Sequence, residues 1–151
     1  MELRKFLAQA KIAAYASRRE GDESILEDGC KELTFEGGEF KYRDRYFGFN
    51  PFIDEENVWQ NGKILWSMNY YGRIISDIVP AKHVYQFLQK AMRQVSEDRP
   101  FRGPNNFKDA DFEYIDESEG TIENFRGTEI IRSKGQEIYR LDYHGGFIKS
   151  K

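Results

Sequence analysis

The sequence predicts an α+β fold: two helix-plus-antiparallel-meander repeats related by a pseudo-twofold, with the helices packed on antiparallel sheet. Three observations lead there. Two stretches carry apolar residues at three- and four-residue spacing, the segments after them alternate apolar with polar residues, and the second half returns to the residue pattern of the first.

The return can be followed position by position. Phe40, Tyr42, Asp44 and Gly48 recur as Phe112, Tyr114, Asp116 and Gly120. After a slip of one residue, Phe52, Glu56, Val58, Gly62, Trp66, Met68, Asn69, Tyr70, Tyr71 and Gly72 meet Phe125, Glu129, Ile131, Gly135, Tyr139, Leu141, Asp142, Tyr143, His144 and Gly145. Two unrelated hairpins with similar turns would account for Gly62 and Gly135, because Asn-Gly between alternating apolar residues is a strong hairpin signal. They would not account for the shared Phe-x-Tyr-x-Asp opening. The sequence therefore reads as a single domain over 1–151 with internal repeats at about 1–75 and 81–148.

Taken in order, Leu3, Phe6, Leu7, Ala10, Ala13 and Ala14 form one apolar stripe of a helix over about 2–17. The charged stretch 18–29 lacks periodicity and reads as a surface loop, pinned by Ile25 and Leu26. Leu33 and Phe35, the Gly37-Gly38 turn, and Phe40 and Tyr42 make a hairpin. Residues 44–54, with Gly48 and Pro51, read as an irregular connection or bulged strand. A short strand 57–60 turns at Asn61-Gly62 into 64–71, where Trp66, Met68 and Tyr70 alternate with Ser67, Asn69 and Tyr71; the first set is the expected core face. After a linker, Val84, Phe87, Leu88, Ala91, Met92 and Val95 mark a second helix over about 81–95. Pro100, Gly103 and Pro104 make a rigid turn region, followed by strands from Phe112, 129–132 and 137–143, the last ended by Gly145-Gly146.

Composition bounds the function. A chain of 151 residues supports one sizeable core, and with 15% aromatics much of it must be Phe and Tyr, whose hydroxyls need partners. Net charge is −3, from 23 basic and 26 acidic residues with no long block of either sign, so direct nucleic-acid binding is not expected. The single Cys30 allows no internal disulfide and no cysteine metal cluster, in keeping with a reducing cytoplasm. The N-terminus superficially resembles a signal peptide, but Gln9 and Lys11 interrupt its apolar run, and no stretch is long enough to span a membrane; a cytoplasmic protein without membrane association is expected.

Candidate chemistry is sparse. Asp44 and Asp116, and Glu56 and Glu129, stand at equivalent repeat positions and could meet as general acid and base or as a hard-cation site; near turns, such residues more commonly cap backbone amides. His83 and His144 have no zinc-ligand spacing, so no metal and no cofactor is expected. Arg102 sits on the stiff turn, suited to clamping a carboxylate or phosphate or to bonding loop carbonyls. No phosphate loop, nucleophile elbow or dinucleotide fingerprint occurs.

The segments Trp66-Ser67-Met68-Asn69-Tyr70-Tyr71-Gly72, Phe101-Arg102-Gly103-Pro104 and Tyr143-His144-Gly145-Gly146, with Ala10-Lys11 and Tyr15-Ala16-Ser17, resemble a bacterial domain family of unknown function. Members of that family look like stand-alone proteins or the C-terminal part of Xre-type helix-turn-helix transcriptional regulators. The resemblance implies a domain boundary and a regulatory setting, not a mechanism. With no helix-turn-helix segment before the first helix, DNA binding does not transfer to this chain.

The first functional reading is a non-enzymatic sensor or binding domain in which Trp66, Asn69, Tyr71, Arg102, Asp142 and His144 line a cleft between the halves and take an unidentified small molecule. No residue is assigned a catalytic role in it. The second is a hydrolase or isomerase using the acidic pairs with His144. The third is a protein-interaction module or homodimer exposing Phe47, Phe49 or Phe52.

Overall fold

The computed structural model describes residues 2–16 and 23–151. Ser17, the expected end of the first helix, and residues 18–22 of the expected surface loop lie outside the described residues. Helix α1 spans Leu3–Lys11 and continues as a π-helical turn over Ile12–Ala16; α2 spans Ala81–Met92. The strands are β1 (Ser24–Ile25), β2 (Lys31–Gly37), β3 (Phe40–Gly48), β4 (Phe52–Gln60), β5 (Lys63–Ile74), β6 (Asn106–Asp109), β7 (Phe112–Thr121), β8 (Asn124–Ser133) and β9 (Gln136–Phe147).

All nine join one antiparallel sheet in the order β1-β2-β3-β4-β5-β9-β8-β7-β6. This corrects the expected fold class: among the described residues the chain is mainly β, a single nine-stranded sheet with two short α-helices, and not an α+β arrangement of two helix-plus-meander repeats. The strands are longer than the sequence suggests because residues that look like breakers are accommodated within them. Within residues 44–54, expected as an irregular connection or bulged strand, 44–48 and 52–54 belong to β3 and β4, which pair from Asp44 opposite Glu56 to Gly48 opposite Phe52. Gly72 and Gly145 sit inside strands because side chains would collide there: a Cβ on Gly72 would lie 2.7 Å from the Phe52 ring, and one on Gly145 would run into the Ser67 carbonyl.

One face of the sheet is covered. Period-2 alternation sends Tyr42, Val58, Trp66, Met68, Tyr139 and Leu141 to that side, where all six are essentially inaccessible to solvent. Phe6 of α1 stacks on Phe40 with ring centroids 5.0 Å apart, and Phe87 of α2 on Phe112 at 4.9 Å. Trp66 stacks on Phe125 at 5.6 Å and donates its indole N–H to the Ile122 carbonyl, which satisfies the one polar atom this large side chain buries. No helix among the described residues is long and apolar enough to cross a membrane.

Candidate functional site

The same alternation that buries the aromatic side chains also buries charge. On β3 and β4 the covered face carries Asp44, Asp54 and Glu56; on β7 and β8 it carries Asp116 and Glu129. Among the described residues five buried carboxyl groups thus face two buried cations, Lys11 and Arg102. A buried carboxylate is tolerated only when paired or hydrogen-bonded, so the partners of each decide what the layer can do.

Lys11 reaches down from α1 to Glu56, with Nζ 2.8 Å from Oε1 and both side chains fully buried. It also donates to the Phe101 carbonyl and lies 3.3 Å from Met68 Sδ. Tyr70 donates to the other oxygen of Glu56 at 2.9 Å. Burial pulls the Lys11 ammonium below the usual lysine range, and Glu56 opposes that pull.

Arg102 enters from the proline-bounded turn and forms a two-pronged pair with Glu129, at 3.1 and 3.0 Å. Its guanidinium lies 4.4 Å from the centre of the Tyr70 ring, so it links the two acidic groups through an aromatic face. Glu129 also accepts from Tyr114 at 2.6 Å and Tyr139 at 2.8 Å. Asp116 accepts from Tyr143 at 2.8 Å, with Arg99 at 3.6 Å. Burial, and then the nearby Glu129, pushes the Asp116 carboxyl up to about 7.

Asp44 and Asp54 form a further carboxyl pair. They share a hydrogen bond, and burial followed by the Asp44 charge pushes Asp54 well above the usual carboxylate range. Asp54 Oδ1 has no hydrogen-bond partner among the described residues although the residue is only 7% exposed. Both carboxyls line a cavity of about 720 Å³ beside α2, whose walls include Tyr46, Phe49, Phe52, Tyr70, Tyr85 and Arg102. Oxygens of Asp44, Asp54 and Glu56 lie within 4.8 Å of one another, so among the described residues these three could hold a metal ion, although Glu56 already faces Lys11 with one oxygen and accepts from Tyr70 with the other.

The six residues expected to line one cleft fall on two faces of the sheet. Asn69, Tyr71, Asp142 and His144 come together on the open face, Asn69 opposite His144 and Tyr71 opposite Asp142, where they line a wide concavity. Trp66 and Arg102 are buried on the covered face. Of the acid–base set, Asp44, Glu56, Asp116 and Glu129 share the covered face, whereas His144 is exposed on the other. Phe47 and Phe49 are exposed, while Phe52 packs edge-on against Tyr70 and Tyr85.

Sequence reasoning missed Lys11, Asp54 and Tyr70 as site residues. The signal was present for two of them: Lys11 sits four residues after Leu7 and three before Ala14, inside the apolar stripe, and Asp54 shares the period of Glu56 and Val58.

Residues 44–148 match the family model described as Domain of unknown function (DUF5680). The chain belongs to this family. No curated protein and no solved structure matches it. The DUF5680 match begins at Asp44 and takes in Asp54, Glu56, Tyr70, Arg102, Asp116 and Glu129, whereas Lys11 lies before it.

Proposed function

We propose that this DUF5680 chain is a small-molecule-binding domain and that its ligand occupies the cavity beside α2. The observation that carries the reading is the convergence of Asp44, Asp54, Tyr70 and Arg102 on an aromatic-walled space of about 720 Å³. Small-ligand sites are typically of that size, apolar with a few placed polar groups. The resemblance to domains joined to transcriptional regulators gives such binding a sensory use. An acid–base activity is the second reading, favoured by the hydrogen-bonded Asp44–Asp54 carboxyl pair.

A thermal-shift screen of the full chain against a metabolite library tests the proposal, with hits repeated on Gln86→Trp, which places a bulky ring at the exposed rim of the cavity. Compounds that stabilise the wild type and lose their effect in this variant, but not in His144→Ala on the open face, support it. A library without hits, or hits lost only in His144→Ala, overturns it.

A further inference from the structure

We propose that the open face of the sheet is a docking surface for an extended peptide segment of a partner protein, one that carries apolar side chains at one end and Lys or Arg at the other. This surface is separate from the cavity beside α2.

The strand register sets Phe47, Ile53, Tyr71, Asp142, Thr128 and Glu117 opposite one another, in one unbroken row across β3, β4, β5, β9, β8 and β7. All of them line the wide concavity on the open face. The row changes character at its midpoint. Phe47, Ile53 and Tyr71 are 46%, 54% and 49% exposed. Single exposed apolar residues are ordinary, but cross-strand neighbours stand about 5 Å apart, so these three make one continuous apolar patch. Beyond Tyr71 the row turns acidic, with the exposed carboxylates of Asp142 and Glu117. Thr128 donates to Asp142 at 2.8 Å and fixes its orientation.

The arginines that flank the acidic half are engaged with carboxylates of their own: Arg126 with Glu119 at 3.1 Å, and Arg140 with Glu137 at 2.7 Å. Arg45, on the apolar side of the concavity, holds Glu32 at 2.6 Å, and Arg73 stands two residues along β5 from Tyr71.

Length and charge select the occupant. Neighbouring strands lie about 4.8 Å apart, so the row runs for about 24 Å, the span of roughly seven residues of extended chain. The concavity, about 1130 Å³, exceeds the usual upper size of a small-ligand site, about 1,000 Å³. Asp142 and Glu117 attract ammonium and guanidinium groups and repel phosphate, which disfavours a nucleic acid or an anionic lipid surface. A second copy turned about a twofold axis through the middle of the row sets Phe47 over Glu117 and Tyr71 over Asp142, apolar on charge, so it is the poorer occupant.

Selection from a random heptapeptide library against the immobilised full chain, followed by fluorescence anisotropy on the enriched sequences, tests the proposal. We expect the enriched peptides to combine apolar residues with Lys or Arg, and to bind more weakly as salt is raised. Ile53→Ser should weaken a selected peptide about tenfold. Asp142→Asn combined with Glu117→Gln should weaken it about fivefold and flatten its salt dependence. These positions are exposed, so both variants should keep the circular dichroism and melting of the parent, and each probes a different half of the row. Enrichment of acidic or wholly apolar peptides, or no enrichment, would overturn the proposal and leave the cavity reading standing. Binding that survives in both open-face variants but is lost in Gln86→Trp would overturn it and place the peptide in the cavity beside α2. A dimer by light scattering that Ile53→Ser dissolves would overturn it in favour of self-association through this face.

Discussion

Lys11 of α1 and Glu56 of β4, 45 positions apart in the chain, meet in a fully buried ion pair 2.8 Å long. The contact ties the first helix to the centre of the sheet. Removing one partner leaves the other charge buried, so Lys11→Met or Glu56→Gln alone should each cost about 3–5 kcal/mol. The double variant should cost clearly less than the sum, because neither charge is then stranded. Urea unfolding of the two single variants and the double gives the coupling; additive losses would show that the pair does not act as a unit.

Arg102 is held by shape as much as by charge. Its two-pronged contact with Glu129 and its stacking on Tyr70 both need a planar guanidinium. Arg102→Lys therefore keeps the charge but should still lose roughly 2–4 kcal/mol, read as a lower urea midpoint. Tyr139→Phe, which removes one of the donors to Glu129, should lose only about 1 kcal/mol.

Asp116 makes the fold pH-dependent in a defined direction. Its carboxyl ionises near 7 when folded, against an ordinary value of 3.8, so between those limits the folded chain keeps a proton that the unfolded chain has released. Stability from this group is greatest below the unfolded value, falls as pH rises towards 7, and is level beyond it. The difference is on the order of 4 kcal/mol, and the raised Asp54 adds to the fall. Comparing urea midpoints at pH 4.5 and 7.5, Asp116→Asn should lose less stability over that range than the wild type; an equal loss would remove Asp116 as the source.

Gly145 lies at the seam where β9 meets β5, opposite Met68. A methyl group there would meet the Ser67 carbonyl and the Met68 backbone, which cannot move without separating the two central strands. Gly145→Ala should destabilise by about 1–3 kcal/mol or more. Hydrogen exchange should quicken first at the β5 and β9 amides; unchanged protection there would show that the seam absorbs the methyl.

The sequence by itself determined the local alternation: Trp66, Met68 and Tyr70 were readable as core residues, and all three are buried. It also located both helices within a few residues, because a 3.6-residue stripe is written in neighbouring positions. Period-2 signals are weaker where charge enters them, and so residues 44–54 read as an irregular connection or bulged strand, although 44–48 and 52–54 lie in regularly paired strands. Only the tertiary structure decided that the strands join into one nine-stranded sheet, since strand order depends on which edges meet. It also decided that Asn69 and Arg102 lie on opposite sides of that sheet, and that Lys11, Glu56 and Tyr70 converge. Those contacts join residues far apart in sequence, and a buried charge becomes intelligible only when the partner that offsets its lost hydration is in place.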